Sequence, residues 1–135
     1  WWKNAYFEHR INNRFFEYVL PDELLKRVKE FPLTENLINS FLGKYVSNIR
    51  LQPISNKDFC GKIWAVSPLS FNIFINSNCS LEKKEETLIH ECAHGIYKVH
   101  GENIESILDK CQEDFYNKNK PFCINLFEES IKSKQ

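Results

Sequence analysis

Several features that often decide the class of a protein are missing from this sequence of 135 residues. No apolar run approaches the roughly 20 residues that a membrane-spanning helix needs, and the first residues lack a basic start followed by an apolar stretch and a cleavage site. We therefore expect a soluble, cytoplasmic protein without a membrane partner. Methionine is absent even from position 1, which indicates a trimmed or processed chain.

An excess of charge of one sign is also missing. Lysine plus arginine and aspartate plus glutamate each number 18, so the formal net charge at pH 7 is +0. A protein that binds nucleic acid or an anionic membrane through its overall charge carries a basic excess or a basic stripe. We therefore expect neither of these partners.

The spacing of the cysteines excludes two further classes. The chain has 5 cysteines, an odd number, and no C-x-x-C pair. This pattern argues against a disulfide framework and against a zinc knuckle built from thiolates. Cys92 and Cys111 fall on apolar helical stripes, so we expect both in the core.

The length of the chain is that of a single domain. Its length matches one ordinary domain and no linker or repeat divides it, so we predict a single domain over residues 1–135. The spacing of apolar residues predicts helices in the segments 5–16, 22–31, 35–43, 81–99, 104–115 and 122–131. Alternating apolar residues predict a small antiparallel sheet with strands in the segments 45–54, 62–66 and 71–75. The fold class is therefore α+β.

One stretch, residues 87–94, combines residue types and spacing that imply a chemistry, because it reads Thr-Leu-Ile-His-Glu-Cys-Ala-His. Two histidines four residues apart on a helix are separated by about 40° and one turn, so His90 and His94 can bind one metal ion. Zinc with two histidines and one further ligand keeps a position for water and lowers its pKa towards about 7. Glu91 can then take the proton as general base. The motif predicts zinc-dependent hydrolysis of a peptide bond.

Two histidines alone make a poor zinc site, so a third donor is needed. Glu105 is our first choice, because it begins the next helix and a short loop folds that helix back on the motif helix. Asp109, one turn further, is suited to orient a ligand histidine. His100 is the rival, six residues after His94, and it requires the motif helix to break before it. Glu128 on the final helix is the least favoured candidate.

The same residues also allow plainer interpretations. H-E-x-x-H occurs by chance in unrelated helices, and Glu105 and Asp109 would then be solvated acids. Tyr97, one turn beyond His94, could donate a hydrogen bond to an oxyanion, although packing is the commoner role. The chain could also be a zinc-stabilised interaction or regulatory domain without peptidase activity, which zinc removal would unfold.

The motif and its surroundings resemble the ImmA/IrrE family of zinc metallopeptidases. The similarity lies in the strand segment Asn72-Ile73-Phe74-Ile75-Asn76 and in the helix segment Glu86-Thr87-Leu88-Ile89-His90-Glu91-Cys92-Ala93-His94, and it covers roughly residues 71–116. It implies a zincin-like fold, with N-terminal helices, a small sheet and an active-site helix followed by one or two helices. It also implies zinc on His90, His94 and Glu105, Glu91 as the general base, and a repressor protein as the substrate.

The chain departs from the family pattern at two positions. Ala93 stands where the family often has glycine, and Leu108 stands where it has alanine after the ligand glutamate. In addition, His100-Gly101 with Ile104 resembles the His-Gly-x-x-Phe element of SprT-like proteases, without the phenylalanine. His100 therefore stays a candidate ligand.

Overall fold

The computed structural model describes residues 16–53 and 60–134. The helix expected in segment 5–16 lies outside these residues except for its last position. The described elements are α1 (Pro21–Glu30), α2 (Glu35–Lys44), β1 (Val46–Gln52), β2 (Gly61–Ser67), β3 (Ser70–Asn76), α3 (Leu81–Tyr97), a 3-10 turn (Glu102–Ile104), α4 (Glu105–Lys118), α5 (Lys120–Cys123) and α6 (Leu126–Ser133). The α+β class is confirmed.

The helices begin where the sequence predicts their caps. Pro21 occupies the start of α1, where its missing N–H has no partner to lose. The backbone N–H of Leu37 donates to the hydroxyl of Thr34 at 3.2 Å, and that of Lys83 donates to the hydroxyl of Ser80 at 3.2 Å. Within the described residues, no helix is both long enough and apolar enough to cross a membrane.

The sheet is mixed, so the prediction of an antiparallel sheet is wrong for one of its two pairings. The strand order is β1-β3-β2, with β2 antiparallel to β3 and β1 parallel to β3. The most apolar strand, β3, takes the centre, where Phe71, Ile73 and Ile75 are almost completely buried. Strand β2 does not pair with β1. Strand β3 lies between them and runs in the same direction as β1.

The motif helix α3 is the central element of the fold. It packs against β2 and β3 and also contacts α2, α4 and α6. Leu88, Ile89 and Cys92 are all 0% exposed as a result. The predicted burial of Cys92 and Cys111 is confirmed. A helix enclosed on so many sides holds its polar side chains in fixed positions.

Helices α2 and α3 approach each other closely at Gly95. A Cβ atom added to this residue would lie 2.8 Å from Cε2 of Phe41, closer than real Cβ contacts. The glycine lowers the intrinsic helix propensity of α3 but provides the space that the Phe41 ring occupies.

The C-terminal helix differs from the prediction of one continuous helix over 122–131. The structure divides it into α5 and α6, because Asn125, with φ −117° and ψ 6°, leaves the helical conformation. The N–H of Phe127 donates to the carboxylate of Glu85 on α3 at 2.8 Å. A side chain from another helix therefore caps the start of α6, which periodicity alone does not reveal.

Candidate metal centre

A reversal of the chain after α3 brings the acidic helix α4 back to the motif. Helix α3 ends at Tyr97, and Lys98 adopts a left-handed conformation with φ 53°. Gly101, with φ 149°, has a backbone conformation that L side chains rarely adopt. After the 3-10 turn, α4 runs along α3. The helix therefore ends before His100, as a ligand role for His100 would require, but the reversal places Glu105 next to His90 and His94.

Donor atoms of three side chains on these two helices face one another. His90 Nε2 lies 3.0 Å from one oxygen of Glu105, and His94 Nε2 lies 3.2 Å from the other oxygen. The two histidine Nε2 atoms are 3.2 Å apart. In a tetrahedral zinc site with bonds of about 2.0–2.1 Å, neighbouring donors lie about 3.3–3.4 Å apart. The observed distances of 3.0–3.2 Å are slightly shorter than these, so a small outward shift of the three side chains would admit a zinc ion.

The backbone orients the ring of His94. Its Nδ1 lies 3.1 Å from the carbonyl oxygen of Val99, so the N–H on Nδ1 donates to this carbonyl. The lone pair of Nε2 is then directed to the donor triangle when the ring is neutral. Metal-ligating histidines are commonly held in this way by a partner on the second nitrogen. Val99 was not identified from the sequence, because a backbone carbonyl leaves no signal in residue type.

Asp109 occupies the position expected for an outer carboxylate. One of its oxygens lies 3.2 Å from Nδ1 of His90, and its side chain is 66% exposed. The pair lacks hydrogen-bond geometry, since Nδ1 of His90 has no hydrogen-bond partner among residues 16–53 and 60–134. Asp109 therefore acts on His90 through charge and proximity.

Glu91 is buried beside the donor triangle. It is 6% exposed, and one carboxylate oxygen lies within 4.8 Å of a ring nitrogen of both His90 and His94. Burial raises the pKa of Glu91, while the neighbouring histidines partly oppose this effect. A more basic carboxylate is a better proton acceptor, which is the property that a general base needs.

Glu105 and His94 change each other's pKa values. Burial acts to raise the pKa of Glu105, but hydrogen bonds and charges from His90 and His94 outweigh it and lower that pKa. Burial acts to lower the pKa of His94, but the carboxylates of Glu105 and Glu91 raise it to about 9. Near neutral pH, His94 therefore carries a proton that a divalent cation would replace.

The two rival ligands lie elsewhere. The His100 ring is 5.4 Å from the His94 ring and packs edge-on against Phe16 at 5.2 Å. It is 1% exposed, and burial lowers its pKa to about 3. Glu128 is exposed in the first turn of α6. Among the described residues, neither belongs to a group of side chains spaced to hold a metal ion.

The structure does not support the role in oxyanion binding considered for Tyr97. The Tyr97 hydroxyl donates to the carbonyl oxygen of Phe31 at 2.7 Å and lies 4.0 Å from the sulfur of Cys111. The side chain thus connects the end of α1 to α3 and α4. Packing, the commoner role for a tyrosine at this position, is what the structure shows.

No family model, curated protein or solved structure matches this chain. The resemblance to ImmA/IrrE metallopeptidases therefore rests on the motif residues, and the zincin-like fold stays a prediction. The structure itself contributes the arrangement of His90, His94 and Glu105 around one point, with Glu91 beside them.

Proposed function

We propose that this chain is a zinc-dependent metallopeptidase. One observation carries the proposal: the Nε2 atoms of His90 and His94 are 3.2 Å apart, and each lies 3.0–3.2 Å from an oxygen of Glu105, which comes from a different helix. Two histidines and one carboxylate are the ligand set of a catalytic zinc site, which keeps one position open. A carboxylate oxygen of the buried Glu91 lies within 4.8 Å of a ring nitrogen of each histidine.

Each side chain has a distinct part in the proposed reaction. His90, His94 and Glu105 would hold the zinc ion, which when bound supplies Lewis acidity that polarises a carbonyl and acidifies water. Glu91 would accept a proton from the attacking water at its carboxylate oxygen. It would then deliver that proton to the amine nitrogen as the peptide C–N bond breaks, so one water is consumed for each bond cut.

The exposure of the donors indicates the side from which a substrate approaches. The side chains of His90 and His94 are 14% and 4% exposed, whereas that of Glu105 is 40% exposed. Asp109 beside it is 66% exposed. A peptide would therefore reach the site over the first turns of α4. The proposed substrate is a protein or peptide, and a repressor protein is the specific case that the family resemblance suggests.

The alternative of a zinc-stabilised interaction domain is less well supported. The continuous apolar core extends through α2, the sheet, α3 and α4, with Ile38, Ile73 and Leu108 each 0% exposed. A core of this extent is enough to hold the fold without a metal, unlike the core of a small zinc-dependent domain. The metal site lies between α3 and α4, where a catalytic role is the better explanation.

The proposal is tested by measuring metal content and peptide hydrolysis on the same samples. The zinc-loaded protein should cleave members of a peptide library, and Glu91→Gln should retain zinc while losing at least about 100-fold in rate. Glu113→Gln, at an exposed glutamate of α4, is the matched control and should leave the rate unchanged. Full activity of Glu91→Gln would remove Glu91 from the mechanism, and absence of bound zinc would refute the proposal itself.

A further inference from the structure

Two cysteines distant in sequence lie side by side at the entry to the motif helix. Cys60 immediately precedes β2, and Cys79 lies in the turn between β3 and α3. Burial and a side-chain hydrogen bond with Cys60 both raise the pKa of the Cys79 thiol. Neither residue belongs to the metal centre, and the odd number of cysteines gives no reason to pair these two.

Backbone hydrogen bonds to the N–H and to the carbonyl of Asn76 hold the two cysteines in this position. The N–H of Asn76 donates to the carbonyl of Cys60 at 2.7 Å, and the N–H of Cys79 donates to the carbonyl of Asn76 at 3.2 Å. The turn is fixed further because the N–H of Asn78 donates to the side-chain oxygen of Asn76 at 3.0 Å. The contact between the thiols therefore follows from strand pairing and turn geometry.

The remaining cysteines are much less accessible. Cys92 and Cys123 are 0% exposed and Cys111 is 7% exposed, whereas Cys60 and Cys79 are both partly exposed. A soluble oxidant can therefore reach only this pair in the folded protein. Reactivity towards oxidants follows exposure and the fraction of thiolate.

We propose that Cys60 and Cys79 form a reversible dithiol–disulfide site that reacts with low-molecular-weight disulfides such as oxidised glutathione. The thiolate of one cysteine attacks a sulfur of the oxidant, and a mixed disulfide forms as one molecule of thiolate leaves. The second cysteine then loses its proton and attacks the mixed disulfide, which releases the second thiolate. The protein loses two electrons and two protons, and the oxidant is reduced to two thiols.

The bridge would close a loop that contains all of β2 and β3. It would join the residue before β2 to the residue before Ser80, the cap of the motif helix. A cross-link of this kind restricts the unfolded chain, and it therefore stabilises the folded protein. Burial and the hydrogen bond with Cys60 raise the pKa of Cys79, while the positive charges of Lys83 and Lys84 act to lower it. The reaction should accelerate as the pH rises.

The test uses the whole folded chain with excess oxidised glutathione, and a sample kept in dithiothreitol serves as the reduced control. We expect the intact mass to fall by about 2 Da, a digest to contain peptides joined through Cys60 and Cys79, and dithiothreitol to reverse both changes. The oxidised form should melt about 5–10 °C higher than the reduced form.

Two variants keep the outcome decisive. Cys60→Ser and Cys79→Ser should each stop at a glutathione adduct on the remaining cysteine, with no loss of 2 Da. Stable adducts on the unaltered protein, a bridge that uses one of the buried cysteines, or dimers linked through Cys60 or Cys79 would each overturn the proposal. Because the site does not include a zinc ligand, these results are independent of peptidase activity.

Discussion

Nδ1 of His94 donates a hydrogen bond to the carbonyl oxygen of Val99 at 3.1 Å, directly after the motif helix has ended. The bond turns the other ring nitrogen towards Glu105, which lies 3.2 Å away. A residue of the helix is thus oriented by the backbone of the turn that follows it. The same turn carries the chain into α4 and so supplies the third donor.

Zinc affinity should depend on pH because zinc must displace the proton on His94. The pKa of His94 in the metal-free protein is about 9, raised by Glu105 and Glu91 against the effect of burial. Below this pH the proton competes with the metal, so the apparent affinity should fall about tenfold per pH unit from pH 9 to pH 7. Calorimetry in buffers of different ionisation enthalpy should detect release of about one proton at pH 7.5. Uptake of protons, or an affinity that does not change with pH, would contradict this assignment.

Asp109→Asn should weaken zinc binding without affecting the fold. The carboxylate lies 3.2 Å from Nδ1 of His90, and loss of an outer partner of a ligand costs about 10–100-fold in affinity. Because Asp109 is 66% exposed, we expect the lower end, about tenfold. Competition against a coloured chelator measures the effect. Asp114→Asn is the control, since Asp114 pairs with Lys110 on the same helix. Equal affinities for the two variants would show that Asp109 has no role.

Removal of zinc should leave the protein folded. The core residues Ile73, Leu88 and Leu108 are 0% exposed and do not depend on the donor triangle. We expect the far-ultraviolet circular dichroism spectrum to persist after chelation, with a lower melting temperature that recovers when zinc is restored. Loss of the spectrum would instead support the structural role for zinc.

Gly95→Ala should destabilise the protein although alanine is the better helix former. The added methyl group would overlap the ring of Phe41, and overpacking costs about 1–3 kcal/mol. Gly43→Ala is the matched control, because nothing lies within 4 Å of a Cβ at that helical position. It should stabilise by about 0.5–1 kcal/mol. Urea unfolding compares the variants, and Phe41→Leu in the same chain as Gly95→Ala should recover part of the loss.

Glu85→Gln should make stability less dependent on pH. Burial raises the pKa of Glu85 to about 7, against the hydrogen bond from Phe127 and with help from Glu128 and Glu129. This pKa is higher than that of Glu85 in the unfolded chain, about 4.5. The contribution of Glu85 to the free energy of unfolding is therefore complete below about pH 4.5 and is lost as the pH rises through 7. Glutamine keeps an acceptor for the Phe127 N–H and carries no charge.

The variant should therefore match the unaltered protein at pH 5 and exceed it at pH 8, by about 1–3 kcal/mol. Glu85→Ala, which removes the acceptor, should be less stable at pH 5, because the N–H of Phe127 is then buried without a partner. Thermal melts at the two pH values make the comparison. If Glu85→Gln were less stable than the unaltered protein at pH 8, the charged form of Glu85 would be the stabilising one.

The sequence by itself determined the features that depend on neighbours along the chain. Ser80 and Thr34 cap their helices as predicted, and His90 and His94 share a face because four residues make about one turn. Glu91 lies beside them because it directly follows His90 in the helix. These positions follow from helical geometry, and the spacing of apolar residues in the sequence predicts the helix.

Tertiary structure decided every relation between distant segments. It placed β3 between β1 and β2, set Glu85 as the acceptor at the start of α6, and put Cys60 beside Cys79. It also chose Glu105 over His100 as the neighbour of both histidines. Such contacts result from the packing of the whole core, in which many weak interactions act together, and residue spacing within one segment carries no record of them.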